Sequence, residues 1–144
     1  MLVFVLDDEP LLLRKLKRTI EEVLPDAELL GFTRASTAIK AMEEEKIFPD
    51  MLFLDIEMPG TNGVETAFKL REMNYDGIII FLTSHTEFMP EAFKVKAFRF
   101  LDKPIDSEKF DEVLSEAEKE ILNSEHILIE DKSKSVYLKL TDIV

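Results

Sequence analysis

Residues 51–63 read Met51-Leu52-Phe53-Leu54-Asp55-Ile56-Glu57-Met58-Pro59-Gly60-Thr61-Asn62-Gly63, and this stretch decides how the chain folds. The apolar run Met51 to Leu54 has no polar alternation, which is the pattern of a strand covered on both faces. It delivers one carboxylate, Asp55, to the strand end. The strand cannot continue far beyond it, because Pro59 lacks a donor and Gly60 frees a turn. A second apolar run, Met1 to Leu6, ends in Asp7 and Asp8. Three carboxylates at strand ends point to a divalent cation, a reactive aspartate, or both.

Working outward, five short apolar runs recur: Leu2–Leu6, Leu29–Phe32, Met51–Leu54, Ile78–Leu82 and Ala97–Leu101. Helical spacing fills the gaps. Pro10 suits a first helical turn, and Leu12, Leu16, Ile20 and Val23 then share a face. Ala35, Ala38, Ile39 and Met42 make a second face. Val64, Ala67, Phe68 and Arg71 make a third, starting from the Asn62-Gly63 turn. Glu87 to Lys96 is a weaker fourth, since Pro90 restricts its start. Phe110, Val113, Leu114, Ala117 and Ile121 make the cleanest stripe, capped by Asp106 or Ser107. Alternating strand and helix predicts an α/β fold: a doubly wound, five-stranded parallel sheet of order 2-1-3-4-5. The ligand crevice of that topology lies at the carboxyl ends between strands 1 and 3. Asp7, Asp8 and Asp55 fall there.

Composition narrows the chemistry. The 144 residues suffice for one domain with a core. The chain has no cysteine and two histidines without ligand spacing, so a metal site would use oxygen donors and take magnesium, calcium or manganese. The formal charge is −12, from 18 basic and 30 acidic residues, and nearly all of the excess acid falls before residue 123. Such a domain should not bind nucleic acid by itself, because phosphate contacts need Lys and Arg. No apolar run approaches the roughly 20 residues that span a bilayer. The expectation is a cytoplasmic protein without membrane contact.

Crowded carboxylates raise one another's pKa, and a bound Mg2+ would cancel that repulsion. An aspartate held against the cation is able to attack phosphorus and form an acyl phosphate. A lysine should supply the opposing charge. Lys103, at a strand end and before Pro104, is placed for it, and Pro104 favours a cis peptide that aims the lysine inward. Thr83, at the end of the fourth strand, offers a hydroxyl. Each of these residues has an ordinary role if taken alone: a cap, a strand residue, a solvated lysine. Their convergence on one sheet edge carries the functional reading.

The set Asp7-Asp8, Asp55, Thr83 and Lys103-Pro104 resembles the receiver domain of two-component response regulators, a flavodoxin-like fold, over residues 1 to about 122. The resemblance implies that Asp55 is the phosphoacceptor and that a sensor histidine kinase is the donor. It implies direct Mg2+ ligation by Asp8, Asp55 and the backbone carbonyl of Glu57, with Asp7 acting through water. Thr83 and Lys103 would bind the phosphoryl group, Thr83 and Phe100 would be the switch pair, and Glu57 and His85 would tune the acyl-phosphate lifetime. Phe100 lacks the hydroxyl of the tyrosine often found there, so its switching would rest on packing alone. The domain would be a switch, not an enzyme, with at most self-catalysed phosphorylation and dephosphorylation. Its output face would comprise the fourth helix, last strand and last helix, with Lys94, Lys96 and Arg99 meeting Asp111, Glu112 or Glu118 of a second copy in a homodimer. Arg14, Lys15, Lys17 and Arg18 are candidates for docking the kinase.

The tail reads differently. HILIEDKSKSVYLKLTDIV alternates around a polar turn, Asp131 to Ser135, which predicts a C-terminal β-hairpin. Residues 126–143, with the Asp55 stretch itself, resemble a LytTR-type regulator. Residues 123–144 are therefore expected to be a linker and the first strands of a truncated DNA-binding output domain, through which alone DNA would be bound in transcription regulation. Two other functions compete. A phosphatase with an aspartyl-phosphate intermediate would need a second Asp two residues after the nucleophile as general acid, where this chain has Glu57, and the long cap insertions are missing. A flavodoxin-like cofactor binder would need a neutral phosphate loop where Asp7-Asp8-Glu9 stands. An inert interaction module is the remaining alternative.

Overall fold

The computed structural model describes residues 1–58, 60 and 62–135, with side chains as far as residue 124. Five strands, β1 (Leu2–Leu6), β2 (Glu28–Phe32), β3 (Met51–Asp55), β4 (Ile78–Thr83) and β5 (Arg99–Asp102), form one sheet. Every pair is parallel and the order is β2-β1-β3-β4-β5. The helices are α1 (Pro10–Val23), α2 (Ala35–Glu44), α3 (Gly63–Glu72), α4 (Met89–Lys94) and α5 (Ser107–Ser135). A 3-10 turn, Thr86–Phe88, leads into α4.

The unalternated runs explain the layering. In β3 every residue is buried, and side chains alternate between two cores as the pleat requires. Phe4, Leu52, Leu54 and Phe81 pack beneath α2, α3 and α4. Val5, Phe53, Ile80 and Leu82 pack beneath α1 and α5, where the tilted rings of Phe53 and Phe110 meet with centroids 5.2 Å apart. Each fully buried Leu, Ile or Phe contributes about 1.5–3 kcal/mol. The sheet is thus a stiff plate whose carboxyl edge carries the polar residues.

Four expectations need correction. β5 begins at Arg99, not Ala97, because the Ala97 N–H closes α4 on the Ala92 carbonyl at 3.1 Å. The fourth helix is shorter than Glu87 to Lys96: Pro90 in the first turn confines it, and Thr86–Phe88 winds as 3-10. Phe68 does not face the core; it is exposed, and Val64, Ala67 and Leu70 take the buried stripe of α3. Finally, α5 runs unbroken past residue 122 to Ser135, so the first strand and turn of the expected hairpin are helical. A lone two-stranded hairpin is marginal in water, whereas Glu, Lys and Leu are good helix formers that extend an existing helix at no nucleation cost. The expected second strand lies outside the described residues. Among the described residues, no helix is long and apolar enough to cross a membrane.

Candidate functional site: an acidic cleft at the carboxyl edge of the sheet

Register brings the carboxylates together. Leu6 pairs with Leu54 across β1 and β3, so the next residues, Asp7 and Asp55, stand side by side at the edge. Both are buried, at 0% and 3% exposure. Asp7 Oδ1 accepts the Glu9 N–H at 2.9 Å, and Asp55 Oδ1 accepts the Glu57 N–H at 3.2 Å. These local bonds turn the chain sharply after each strand. Gly63, at the start of α3, returns the chain over the site; its N–H donates to the Ile56 carbonyl at 2.7 Å, and a Cβ there would strike the Asp55 carbonyl oxygen. Asn62 caps α3, accepting the Glu65 N–H at 2.9 Å.

β4 and β5 bring the cation. Thr83 pairs with Asp102, and the Lys103 N–H donates to the Thr83 carbonyl at 2.9 Å. The Lys103–Pro104 peptide is cis. The Lys103 ammonium lies 2.9 Å from Asp7 Oδ2 and 3.3 Å from Asp55 Oδ2. Sequence reasoning aimed it at Asp55; its shorter contact is to Asp7. The Thr83 hydroxyl is buried and accepts the His85 N–H at 3.1 Å.

The electrostatics follow from burial. Loss of solvent pushes the Asp55 carboxyl up, the neighbouring Asp7 pushes further, and Lys103 and the Glu57 N–H pull it down; the result is about 6 in place of 3.8. Burial alone would lower the Lys103 pKa, but its hydrogen bonds and attraction to Asp7 and Asp55 outweigh that and raise it. Lys103 is thus a firm cation. One ammonium between two buried carboxylates still leaves the cleft electron-rich.

Asp8 completes the cluster. One carboxylate oxygen from each of Asp7, Asp8 and Asp55 lies within 4.8 Å of the others. The donors are all hard oxygens, which suits a small divalent cation such as Mg2+ better than a thiophilic metal. The site opens into a cleft of about 570 Å3 bordered also by Glu57, Met58, Asn62 and Phe88.

At the rim, His85 joins two loops. Its Nε2 lies 2.8 Å from Glu57 Oε2 and its Nδ1 lies 3.0 Å from Glu87 Oε1. The bond to Glu87 raises the His85 pKa, desolvation opposes the rise, and Glu57 adds to it. Glu87 had no signal in the sequence, since only the 3-10 turn carries it back to the ring. Glu57, two residues after Asp55, directs its carboxylate to His85. Phe100 is half-buried, 6.2 Å from the Phe81 ring, and packs with the core beneath α4. Arg99, expected to meet a second copy, is paired with Glu116 of its own α5 at 3.1 Å. Arg14, Lys17 and Arg18 lie together on α1, and Glu21 and Glu22 border the same surface one turn further on.

A family model described as the response regulator receiver domain matches residues 3–115. The chain is 37% identical over 116 residues to the positive alginate biosynthesis regulatory protein of Pseudomonas aeruginosa, covering 80% of this chain and 46% of that protein. It is 31% identical over 117 residues to the sensory transduction protein LytT of Bacillus subtilis, covering 81% and 48%, in keeping with the LytTR-type reading of the sequence. The chain spans about half the length of the curated relatives it matches. Among solved structures, the response regulatory domain of protein mrkE from Klebsiella pneumoniae superimposes with a TM-score of 0.79 at 26% identity, over 85% of this chain and 99% of that one.

Proposed function

Because the chain belongs to the response regulator receiver domain family of two-component systems, we propose that it is a phosphorylation switch whose acceptor is Asp55 and whose donor is a phosphohistidine of a sensor kinase. The observation that carries this reading is the Lys103 ammonium at 2.9 Å from Asp7 and 3.3 Å from Asp55. That contact offsets part of the repulsion within the acid cluster of Asp7, Asp8 and Asp55, and a bound divalent cation would offset the rest before an anionic phosphoryl group enters.

Asp8, Asp55 and the backbone carbonyl of Glu57 would hold Mg2+ directly, and Asp7 through water. The cation, when bound, neutralises the carboxylates and the incoming phosphoryl oxygens. The remaining steps belong to the chain itself. An Asp55 carboxylate oxygen attacks phosphorus, the phosphorus–nitrogen bond breaks, and the electron pair leaves with the imidazole of the donor. Lys103, on a flexible stem, moves from carboxylate to phosphoryl oxygen. Thr83 rotates its hydroxyl to donate to the phosphoryl group, and Phe100 fills the space behind it by packing alone. Glu57 and His85, bonded across the mouth, set how readily water reaches the acyl phosphate.

The output is a changed α4-β5-α5 face, which would control a LytTR-type DNA-binding domain and hence transcription. A homodimer through that face would require Arg99 to leave Glu116. The surface ion pair opposes this weakly, by about 0–1 kcal/mol. Arg14, Lys15, Lys17 and Arg18 on α1 offer the kinase a basic strip beside the cleft.

Intact-mass measurement after incubation with acetyl phosphate and Mg2+ tests the proposal. A single phosphoryl adduct, lost in Asp55→Ala and on chelation, is the expected result. No adduct under any donor would favour an inert interaction module.

A further inference from the structure

The sheet has two open edges, and they are guarded differently. β5 begins and ends in charge, Arg99 and Asp102, and Arg99 is tied to Glu116 of α5 at 3.1 Å. Charge of this kind keeps other chains off an edge. β2, at the opposite edge, reads Glu28-Leu29-Leu30-Gly31-Phe32 and carries neither lysine nor proline. The Glu28 N–H donates to the Met1 carbonyl at 2.9 Å, and the Phe32 carbonyl accepts the Asp7 N–H at 3.1 Å. Residues 28, 30 and 32 therefore turn their main-chain groups toward β1, and the residues between them turn theirs the other way. The N–H and C=O groups of Leu29, Gly31 and Thr33 face outward, and among the described residues none of them has a hydrogen-bond partner in the chain.

Both faces beside this edge carry apolar groups left open. Leu30 is 41% exposed, on the face where Phe32 packs with the core beneath α2. On the other face Leu13 of α1 lies over Gly31, where a Cβ would meet its side chain at 3.0 Å. A glycine inside a strand also lets a further backbone come close. Opposite charges bracket the strand. Glu28 shares the face of Leu30 by alternation, and Arg34, in extended backbone at φ −138° and ψ 138°, caps α2 on that same face. Both are exposed, and among the described residues neither has an ion pair within the chain.

We propose that β2 pairs antiparallel with β2 of a second copy of this chain, about a two-fold axis at Gly31, so that one sheet runs through both copies. In that register Gly31 meets its own counterpart, Leu29 meets Thr33, Leu30 meets Phe32, and Glu28 meets Arg34. The Gly31 pair and the Leu29–Thr33 pairs exchange N–H···O bonds in both directions, because these residues face outward. The Leu30–Phe32 pairs carry no such bonds, so their side chains come closest and cover the exposed leucine. The two copies of Leu13 meet across the glycines. Glu28 and Arg34 fix the register, since centring the axis on Leu30 would set Glu28 against Phe32 instead. The contact is isologous and closes as a dimer. β2 and β5 are opposite edges, so the acidic cleft and the α4-β5-α5 face stay open. The pairing does not depend on the reading of Asp55 as phosphoacceptor.

Sedimentation equilibrium of the full chain, with a chelator and without a phosphoryl donor, tests the pairing. A mass approaching twice that of the chain at millimolar protein is expected. Glu28→Arg or Arg34→Glu alone sets like charges opposite each other at both ends and should weaken association about tenfold or more. The Glu28→Arg, Arg34→Glu double variant should restore it. Leu30→Lys, at an exposed position, should also give a monomer, and thermal melts check that each variant is folded. Exchange of the Leu29, Gly31 and Thr33 amides should slow as protein concentration rises. A monomer at every concentration overturns the proposal. So does a dimer that the single charge reversals leave unchanged, or one lost on Arg99→Glu alone. A double swap that fails to restore association overturns the register.

Discussion

Replacing Asp55 by Asn should make the fold more stable, although it removes the residue at the centre of the site. In the folded chain the Asp55 carboxyl takes up its proton near 6, against 3.8 for a solvated one. Between those values the native state binds more protons than the unfolded state, so stability falls as pH rises through the window. Above it the ionised carboxylate is a standing penalty of up to about 3 kcal/mol, at 1.36 kcal/mol per pKa unit. Solvent in the open cleft screens part of this. Losing one of its two carboxylates also takes from Lys103 the weaker contact, at 3.3 Å, and leaves the one to Asp7 at 2.9 Å. The net gain for Asp55→Asn is then about 1–2 kcal/mol near neutral pH, or ~2–8 °C in melting temperature. Thermal melts without divalent cation at about pH 7.5 and about pH 4.5 would measure it, and the gain should shrink toward the lower pH as the wild-type carboxyl becomes protonated. An Asn variant that melts below the wild type near neutrality, or a gain independent of pH, would refute the electrostatic account of the cleft.

Lys103→Met should cost about 2–4 kcal/mol near neutral pH, because it strands two buried carboxylates; urea titration should show part of that loss recovered in the Lys103→Met, Asp55→Asn double variant. Mg2+ at 100 times its dissociation constant should stabilise the wild type by about 2.7 kcal/mol, and the shift in melting temperature should be absent in an Asp8→Asn, Asp55→Asn variant; an equal shift in both would place the cation elsewhere. Gly63→Ala should destabilise by about 1–3 kcal/mol and weaken Mg2+ binding, since the added Cβ meets the Asp55 carbonyl and must displace the strand end. Lys96→Gly should raise stability by about 0.5–1 kcal/mol in urea titration, because relieving a left-handed non-glycine residue at the end of α4 returns about 1–2 kcal/mol and the entropy of glycine takes back about 0.5–1.

What was legible in the sequence shared one physical origin. Strands buried on both faces must be apolar throughout, so Leu2–Leu6, Met51–Leu54 and Ile78–Leu82 announced both the sheet and its parallel sense. Once the order β2-β1-β3-β4-β5 followed, Asp7, Asp8, Asp55, Thr83 and Lys103 had to share one edge. The misreadings came where local pattern competes with context. Phe68 fits the helical stripe on α3, but the narrow seam is filled by Val64, Ala67 and Leu70. The alternation of residues 126–130 reads as a strand, yet the helix already formed from Ser107 carries through it. Arg71 was read only as part of the third helical face; its bonds to the carbonyls of Val95, Tyr75, Gly77 and Lys96 left no trace, because backbone carbonyls have no sequence signature. The Arg99–Glu116 pair likewise depends on how α5 lies against β5.

The most direct test is to find which atom takes the phosphoryl group. The wild-type chain, treated with acetyl phosphate and Mg2+, is reduced with borohydride to convert any acyl phosphate to a stable alcohol, then digested and sequenced by mass spectrometry. Conversion confined to residue 55, and absent when Mg2+ is withheld, is what the cleft geometry predicts. Conversion at Asp7 or Asp8, or none while the folded protein binds Mg2+, would contradict it.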